Sequence, residues 1–365
     1  MVNDKVKDLF FELIQISLGN GDRFERMPSD AEWRALFELA CKQSLQSVLL
    51  LGLEKVLSNP DVVKPSVLFE WIASQQTTEM QNRLQNERAK QLTTIFKDKG
   101  GFRSCILKGQ GTALYYEKPE YRQCGDIDIW VEGDRDKVLD FARSNKLHIG
   151  HVDIKHSDIN FFKDVPVEVH FLPSWMYCPS TNRRLMRFFA EVAEKQFRNY
   201  DEQVGFTHTT IEFDLVYSMV HIYRHIFSEG IGLRQLIDYY YILHSVKSEE
   251  LRVNSFETLC FLKMGKFAGG VMWILRECFG IKEDLLLCPV NERHGRFLLS
   301  EIMTAGNFGQ YDERTLRVDK DKKFKRGFAQ LGRNLRFVTY YPSEVLWSPF
   351  WKLWHWGWRK RKGYL

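Results

Sequence analysis

The sequence predicts an α+β protein, mostly helical, in which a small mixed β-sheet core is flanked by N- and C-terminal helical domains. Three observations predict it. Apolar residues recur at helical spacing before Gly100 and again after Ile211. Between those stretches the pattern switches to period two. The pair Gly100-Gly101 marks the first change, because glycine commonly closes a helix. At 365 residues and 43.2 kDa the chain has room for two or three domains and a sizeable core.

Taken in order, Leu9, Phe10, Leu13, Ile14 and Ile16 define one face of a first helix. Ser29-Asp30-Ala31-Glu32 has capping-box spacing and opens a second periodic run, expected to continue through Val56. A third run, rich in Gln, Arg and Glu, extends from Ser66 to Lys99. Ser104 to Leu107 is a short apolar strand ending at Lys108-Gly109-Gln110-Gly111. Ile127 to Val131 and Val165 to Phe171 alternate as strands, with a helical stretch from Asp134 to Asn145 between them. Helices are then expected over Leu215 to Phe227, Leu233 to Val246, Glu257 to Cys278 and Arg293 to Met303. The division that results is 1–99 helical, 100–200 sheet core, 201–313 helical and 314–365 a basic, Trp-rich tail.

Composition is that of an ordinary globular chain, with 44% hydrophobic and 27% charged residues. No run reaches the length of a membrane span, and the first residues lack the apolar core and cleavage site of a secretory signal. Seven cysteines without CxxC spacing argue against a disulfide scaffold or zinc cluster and favour the cytoplasm. The formal net charge of +5 hides an asymmetry: from Arg314 onward there are 14 Lys and Arg against 3 Asp and Glu, which leaves −6 for the rest.

The stretch Gly125-Asp126-Ile127-Asp128-Ile129 places two aspartates on one face of a strand and the isoleucines on the other. Adjacent carboxylates repel, and in a partly desolvated site one tends to hold its proton. A divalent cation removes the conflict, and hard Mg²⁺ takes carboxylate oxygens together with substrate phosphates. In Val167-Glu168-Val169-His170, Glu168 and His170 likewise share a face. If the two strands are neighbours, Glu168 completes a cluster able to hold two metal ions about 4 Å apart. Solvent faces of two edge strands would give the same pattern. Gly109, at the end of the preceding strand, would let backbone approach a phosphate closely.

Ile106-Leu107-Lys108-Gly109, Arg122, Gly125-Asp126-Ile127-Asp128-Ile129 and Val167-Glu168-Val169-His170 resemble, in that order, the DNA polymerase β-like nucleotidyltransferase superfamily. The closer resemblance is to its bacterial branch of uncharacterised nucleotidyltransferases. His221-Ile222-Tyr223-Arg224-His225, Leu233 to Asp238 and Gly306-Asn307-Phe308-Gly309 also look like that branch. The resemblance implies an enzyme in which Asp126 and Asp128 ligand two Mg²⁺ ions (or Mn²⁺) and Glu168 binds the catalytic one and helps activate the acceptor. It implies attack of an acceptor hydroxyl or phosphate on the α-phosphorus of a nucleoside triphosphate such as ATP, with release of pyrophosphate. Positioning and charge stabilisation would do most of that work. Lys108, Gly109, Gly111, Thr112 and Arg122 are the nucleotide-binding candidates. The gap before Asp126 is sixteen residues from Lys108-Gly109 and thirteen from Gly111-Thr112, and the superfamily pattern favours the shorter, so either turn could hold the triphosphate. The acceptor, whether small molecule, protein or RNA, stays open. The alternative is a non-catalytic binding or scaffold protein of the same fold.

Three further signals have bland readings beside the functional ones. His221 and His225 have helical i, i+4 spacing, as metal ligands or as packed histidines. Arg234 and Asp238 have ion-pair spacing, while His170, Arg234 and Asp238 are also candidates for supporting the site. The final stretch carries Trp347, Trp351, Trp354, Trp356 and Trp358 followed by Arg359 to Lys362. It would rest on a membrane surface, stack on nucleic acid, or pack on the protein or another subunit, the last being favoured.

Overall fold

A computed structural model describes residues 4–60, 62–312, 314 and 332–364. The opening of the tail, 315–331, lies outside the described residues. Helix α1 (Asp4–Ser17) buries Leu9, Phe10, Leu13, Ile14 and Ile16, as its periodicity requires. Helix α2 (Asp30–Gln43) begins with the expected capping box, in which Ser29 and Glu32 satisfy each other's backbone N–H groups. It ends at Ser44, which adopts φ 56°, so the run expected to continue through Val56 is two helices, α2 and α3 (Gln46–Leu57).

Helix α4 (Leu68–Thr94) continues through a π-turn at Ile95–Lys99 and stops at the glycine pair, where Gly101 takes φ 64°. Between Trp71 and Ala89 its buried side is polar: Gln75, Thr78, Asn82 and Gln85. The reason lies across the interface. Asn82 Nδ2 donates to the carbonyls of Glu120 and Arg122, and Gln85 donates to the carbonyl of Gly125. The Gln-rich helix therefore fixes the loop that delivers the paired aspartates.

The sheet has five strands: β1 (Ser104–Ile106), β2 (Ile127–Val131), β3 (Ile149–Val152), β4 (His156–Ile159) and β5 (Val167–His170). Their order is β1-β2-β5-β4-β3, with β2 and β5 parallel and the other pairs antiparallel. A four-residue helix, α5 (Gln110–Ala113), follows β1, and α6 (Arg135–Ser144), capped by Asp134, follows β2. One face of the sheet packs Ile127, Ile129, Val131, Val167 and Val169 against Val138, Leu139 and Ala142 of α6 and Phe96. The other face carries Asp128, Trp130, Glu168 and His170. Trp130 there joins the larger core beside Phe197 and Phe213.

Helix α7 (Pro179–Arg198), the short strands β6 (Tyr200–Asp201) and β7 (Phe206–Thr207), and α8 (Ile211–Ser228) lead from the sheet into the C-terminal helices. These are α9 (Leu233–Ser245), α10 (Glu249–Phe261), α11 (Gly265–Phe279) and α12 (Glu292–Ala305). The helix expected over Glu257 to Cys278 is broken between α10 and α11, where Lys263 has φ 60°. The helices before and after the sheet bury their apolar faces in one cluster, and Asn20 Nδ2 donates to the Phe279 carbonyl across it. Helix α13 (Pro342–Lys362) returns to the body. Buried Glu344 accepts from the N–H groups of Tyr177 and Cys178, and Trp351 stacks on Trp175 with centroids 3.7 Å apart.

Candidate functional site

The parallel pairing of β2 with β5 sets Asp128 directly opposite Glu168. Asp126 enters from the end of β2, and one oxygen from each of the three carboxylates lies within 4.8 Å of the others. Asp128 is 2% exposed, while Asp126 and Glu168 are half-buried at the cleft side. Three negative charges in so small a volume are poorly compensated. The neighbouring Asp128 charge, and then burial, push the Asp126 carboxyl up to about 6. An all-oxygen donor set under mutual repulsion suits a hard divalent cation.

Two cations share that charge. Lys108 Nζ lies 3.1 Å from Asp128 Oδ1. Burial opposes its charge, but Asp128, Asp126 and Glu168 outweigh it and raise its pKa. His170 Nε2 meets Asp128 Oδ1 at 2.9 Å and Glu168 Oε2 at 3.4 Å, while its Nδ1 faces the Leu172 carbonyl at 3.3 Å. With acceptors at both ring nitrogens, the imidazolium wins over burial and the His170 pKa is raised. Burial would raise Asp128 and Glu168, yet Lys108 for the first and the His170 hydrogen bond for the second hold them low.

His156 enters from β4, its ring stacked on His170 with centroids 5.4 Å apart and its Nε2 3.7 Å from Glu168. Burial lowers its pKa to about 4, so it is neutral. The sequence reading missed it because β3 and β4 show little apolar alternation. The signal available was the alternation of Ser157 and Ile159, both buried, with His156 and Asp158. His156, Glu168 and His170 form the second group whose ligand atoms lie within metal-binding distance. His221 and His225 belong to neither group; their rings pack 4.2 Å apart on α8, and burial lowers both pKa values.

Above the carboxylates lies a cleft of about 70 Å³, lined by Lys108, Gly109, Thr112 and Asp126 on one side and by Tyr217, His221, Arg234 and Phe308 among others. Both candidate turns touch it, Lys108-Gly109 through both residues and Gly111-Thr112 through Thr112 alone. Gly109 has φ 60° and ψ −108°, a conformation that favours glycine. Gly111 turns into the protein, where an added Cβ would press on His208 Cβ at 3.3 Å and the Ile106 carbonyl at 3.4 Å.

Arg122 and Asp238 also border the cleft, joined to each other. Arg122 Nε and Nη2 donate to the two Asp238 oxygens at 2.7 and 2.8 Å, and Tyr116 donates to Asp238 Oδ1 at 2.6 Å. Asp238 is therefore committed to Arg122, and the Arg234–Asp238 pair expected from helical spacing does not form. Arg234 Nη1 instead donates to the Gln123 carbonyl at 2.8 Å, its Nε lacks a partner, and its guanidinium lies 5.7 Å from the Phe308 ring. Among the described residues no carboxylate lies within ion-pair distance of Arg234. Phe308 adopts φ 52°, an uncommon conformation for a bulky side chain that costs on the order of 1 kcal/mol or more.

A family model described as an uncharacterised nucleotidyltransferase matches residues 29–280, more than half of the chain. That span includes the sheet, the carboxylates and α4, α8 and α9, and it excludes α12 and α13. No curated protein and no solved structure matches.

Proposed function

We propose, for a chain that belongs to the family of uncharacterised nucleotidyltransferases, divalent-cation-dependent transfer of a nucleotidyl group from a nucleoside triphosphate to an acceptor hydroxyl or phosphate. The observation that carries this reading is the register of β2 with β5, which gathers Asp126, Asp128 and Glu168 beneath the Lys108-Gly109 turn. These three carboxylates would hold Mg²⁺ or Mn²⁺. When bound, the cation supplies charge stabilisation for the α-phosphorus and the departing pyrophosphate.

The chain's own residues then have distinct tasks. Asp128 is kept ionised by Lys108 and His170, so it is ready to bind without losing a proton. His170 orients both Asp128 and Glu168. Lys108 can exchange part of its contact with Asp128 for a phosphate oxygen. Gly109 lets that phosphate approach the turn. The bond formed joins the acceptor oxygen to the α-phosphorus, the bond broken releases pyrophosphate, and a hydroxyl acceptor's proton passes to Glu168, half-exposed on the cleft side. Arg234, without a carboxylate partner, and Phe308 face the substrates across the cleft.

The test is incubation of the full chain with each α-labelled nucleoside triphosphate, Mg²⁺ or Mn²⁺, and a cell extract. A labelled acceptor and stoichiometric pyrophosphate are expected, and both should vanish with Asp128→Asn. If none of the four nucleotides labels anything and none binds by calorimetry with either ion, a non-catalytic binding protein is the better reading.

A further inference from the structure

Helix α13 is covered on one side only. Glu344, Val345 and Ser348 are buried, Trp351 stacks on Trp175, and Trp358 lies beside Arg135, 4.8 Å from its guanidinium. The opposite side carries Leu346, Trp347, Phe350, Leu353 and Trp354, all exposed, with Phe350 and Leu353 at 67% and 69%. Leu346, Phe350, Leu353 and Trp354 follow each other at i, i+4, i+7 and i+8, so they form one stripe along the helix. Continuing the same spacing leads through Gly357 to Lys360 and Arg361, also exposed. The other two cations of that run have partners within the protein: Lys362, itself exposed, pairs with Asp136 at 3.6 Å and Arg359 donates to the Tyr364 carbonyl. From Val345 to the end there is no Asp or Glu.

We propose that this face of α13 docks on the surface of an anionic lipid bilayer. The apolar stripe lies at the boundary between headgroups and acyl chains, and Lys360 and Arg361 meet lipid phosphates. Tryptophan favours that depth because its ring is apolar and its N–H still reaches water. No helix among the described residues is long and apolar enough to cross a membrane, so the contact is with the surface. Charge decides among the possible occupants. A second copy of α13 would bring the same positive end and no exposed carboxylate to face it, since Glu344 is buried against Arg224. A nucleic acid strand needs cations spaced along its phosphates and rings to stack bases. Here the stripe interleaves leucines with the rings and confines its outward cations to one end.

The experiment mixes the full chain with phosphatidylcholine vesicles and with vesicles that also contain phosphatidylglycerol, at about 0.15 M salt, and follows co-sedimentation and tryptophan emission. Binding at least tenfold tighter to the anionic vesicles is expected, with a blue-shifted emission. Phe350→Glu/Leu353→Glu should lose that binding by tenfold or more, and Lys360→Glu/Arg361→Glu should erase the preference for anionic lipid. Both pairs are exposed, and circular dichroism checks their folding. If the first pair misfolds, the charge pair and the salt dependence decide. Absence of binding to anionic vesicles, or binding unchanged in the folded variants, overturns the proposal. So does a dimer, or an oligonucleotide complex, that the stripe variants abolish while vesicles remain unbound.

Discussion

Two sets of charges border the cleft, and they are built on opposite terms. In Arg122–Asp238–Tyr116 both Asp238 oxygens accept from Arg122, Tyr116 adds a third bond, and one positive charge answers one negative charge. In Asp126–Asp128–Glu168 three carboxylates share one lysine and one histidine, and Asp126 is pushed up to about 6. Burial alone does not tell them apart, because Asp128 is as buried as Arg122 and Asp238. Imbalance does. A balanced pair holds α9 to the loop before β2, whereas an unbalanced cluster is stable only because a cation or a proton can complete it.

The largest expected effect breaks the unbalanced set. Under the proposed function, Asp126→Asn should lower nucleotidyl transfer about 10³-fold or more, since one of the three proposed metal ligands is lost. The same change should raise stability in the absence of divalent ions. Asp126 has a raised folded pKa, so its ionised form destabilises the fold as pH rises from about 4 through about 6. Removing the charge returns about 3 kcal/mol at neutral pH, read as an upward shift in melting temperature. A variant that loses both activity and stability would mean that the carboxylate holds the fold.

The balanced set should answer the other way. Asp238→Asn leaves the Arg122 charge buried without its partner, and a loss of about 3–5 kcal/mol is expected by chemical denaturation. Arg122→Met/Asp238→Leu should recover most of it, because neither charge is then stranded. If Asp238→Asn instead keeps its stability and loses transfer, the pair belongs to the nucleotide machinery.

This contrast was half legible in the sequence. Alternation showed which faces Asp126, Asp128, Glu168 and His170 share, and the parallel β2–β5 register then brought those faces together. Spacing could not show which partner each charge chooses. Arg234 and Asp238 stand one helical turn apart, yet Asp238 takes Arg122, 116 residues away in sequence, because Tyr116 and Arg122 already converge there. His156 was hidden in a strand whose half-buried positions carry His and Asp. Helix breaks at Ser44 and Lys263 were equally invisible, since each rests on one non-glycine residue at positive φ.

Asp214 sharpens the comparison as a third way to bury a carboxylate. It accepts from Thr209 Oγ1 at 2.7 Å and Tyr115 Oη at 2.8 Å, and burial pushes its pKa up to about 7. The folded state thus keeps a proton that the unfolded chain releases near pH 4. Its contribution to stability is full below about pH 4, declines as pH rises towards about 7, and is flat above. The decline should be on the order of 2–4 kcal/mol. Urea denaturation of wild type and Asp214→Asn across pH 4–8 should show the difference between them changing over that window. A constant difference would mean that Asp214 is ionised throughout.

The smallest effect tests the cause assigned to the imbalance. If repulsion from Asp128 is what keeps a proton on Asp126, a bound cation must displace that proton. Mn²⁺ affinity should then be flat above about pH 6 and weaken below it, approaching tenfold per pH unit, or about 1.4 kcal/mol. The sign follows because protons and metal compete for the same oxygens. Titrations of Mn²⁺ by electron paramagnetic resonance at pH 5, 6, 7 and 8 would measure the slope. In Asp126→Asn the affinity should be lower and the slope below pH 6 gone, because Lys108 and His170 already keep Asp128 and Glu168 ionised there. A slope that survives this substitution would place the proton on another group, and the imbalance at β2 would need a different partner.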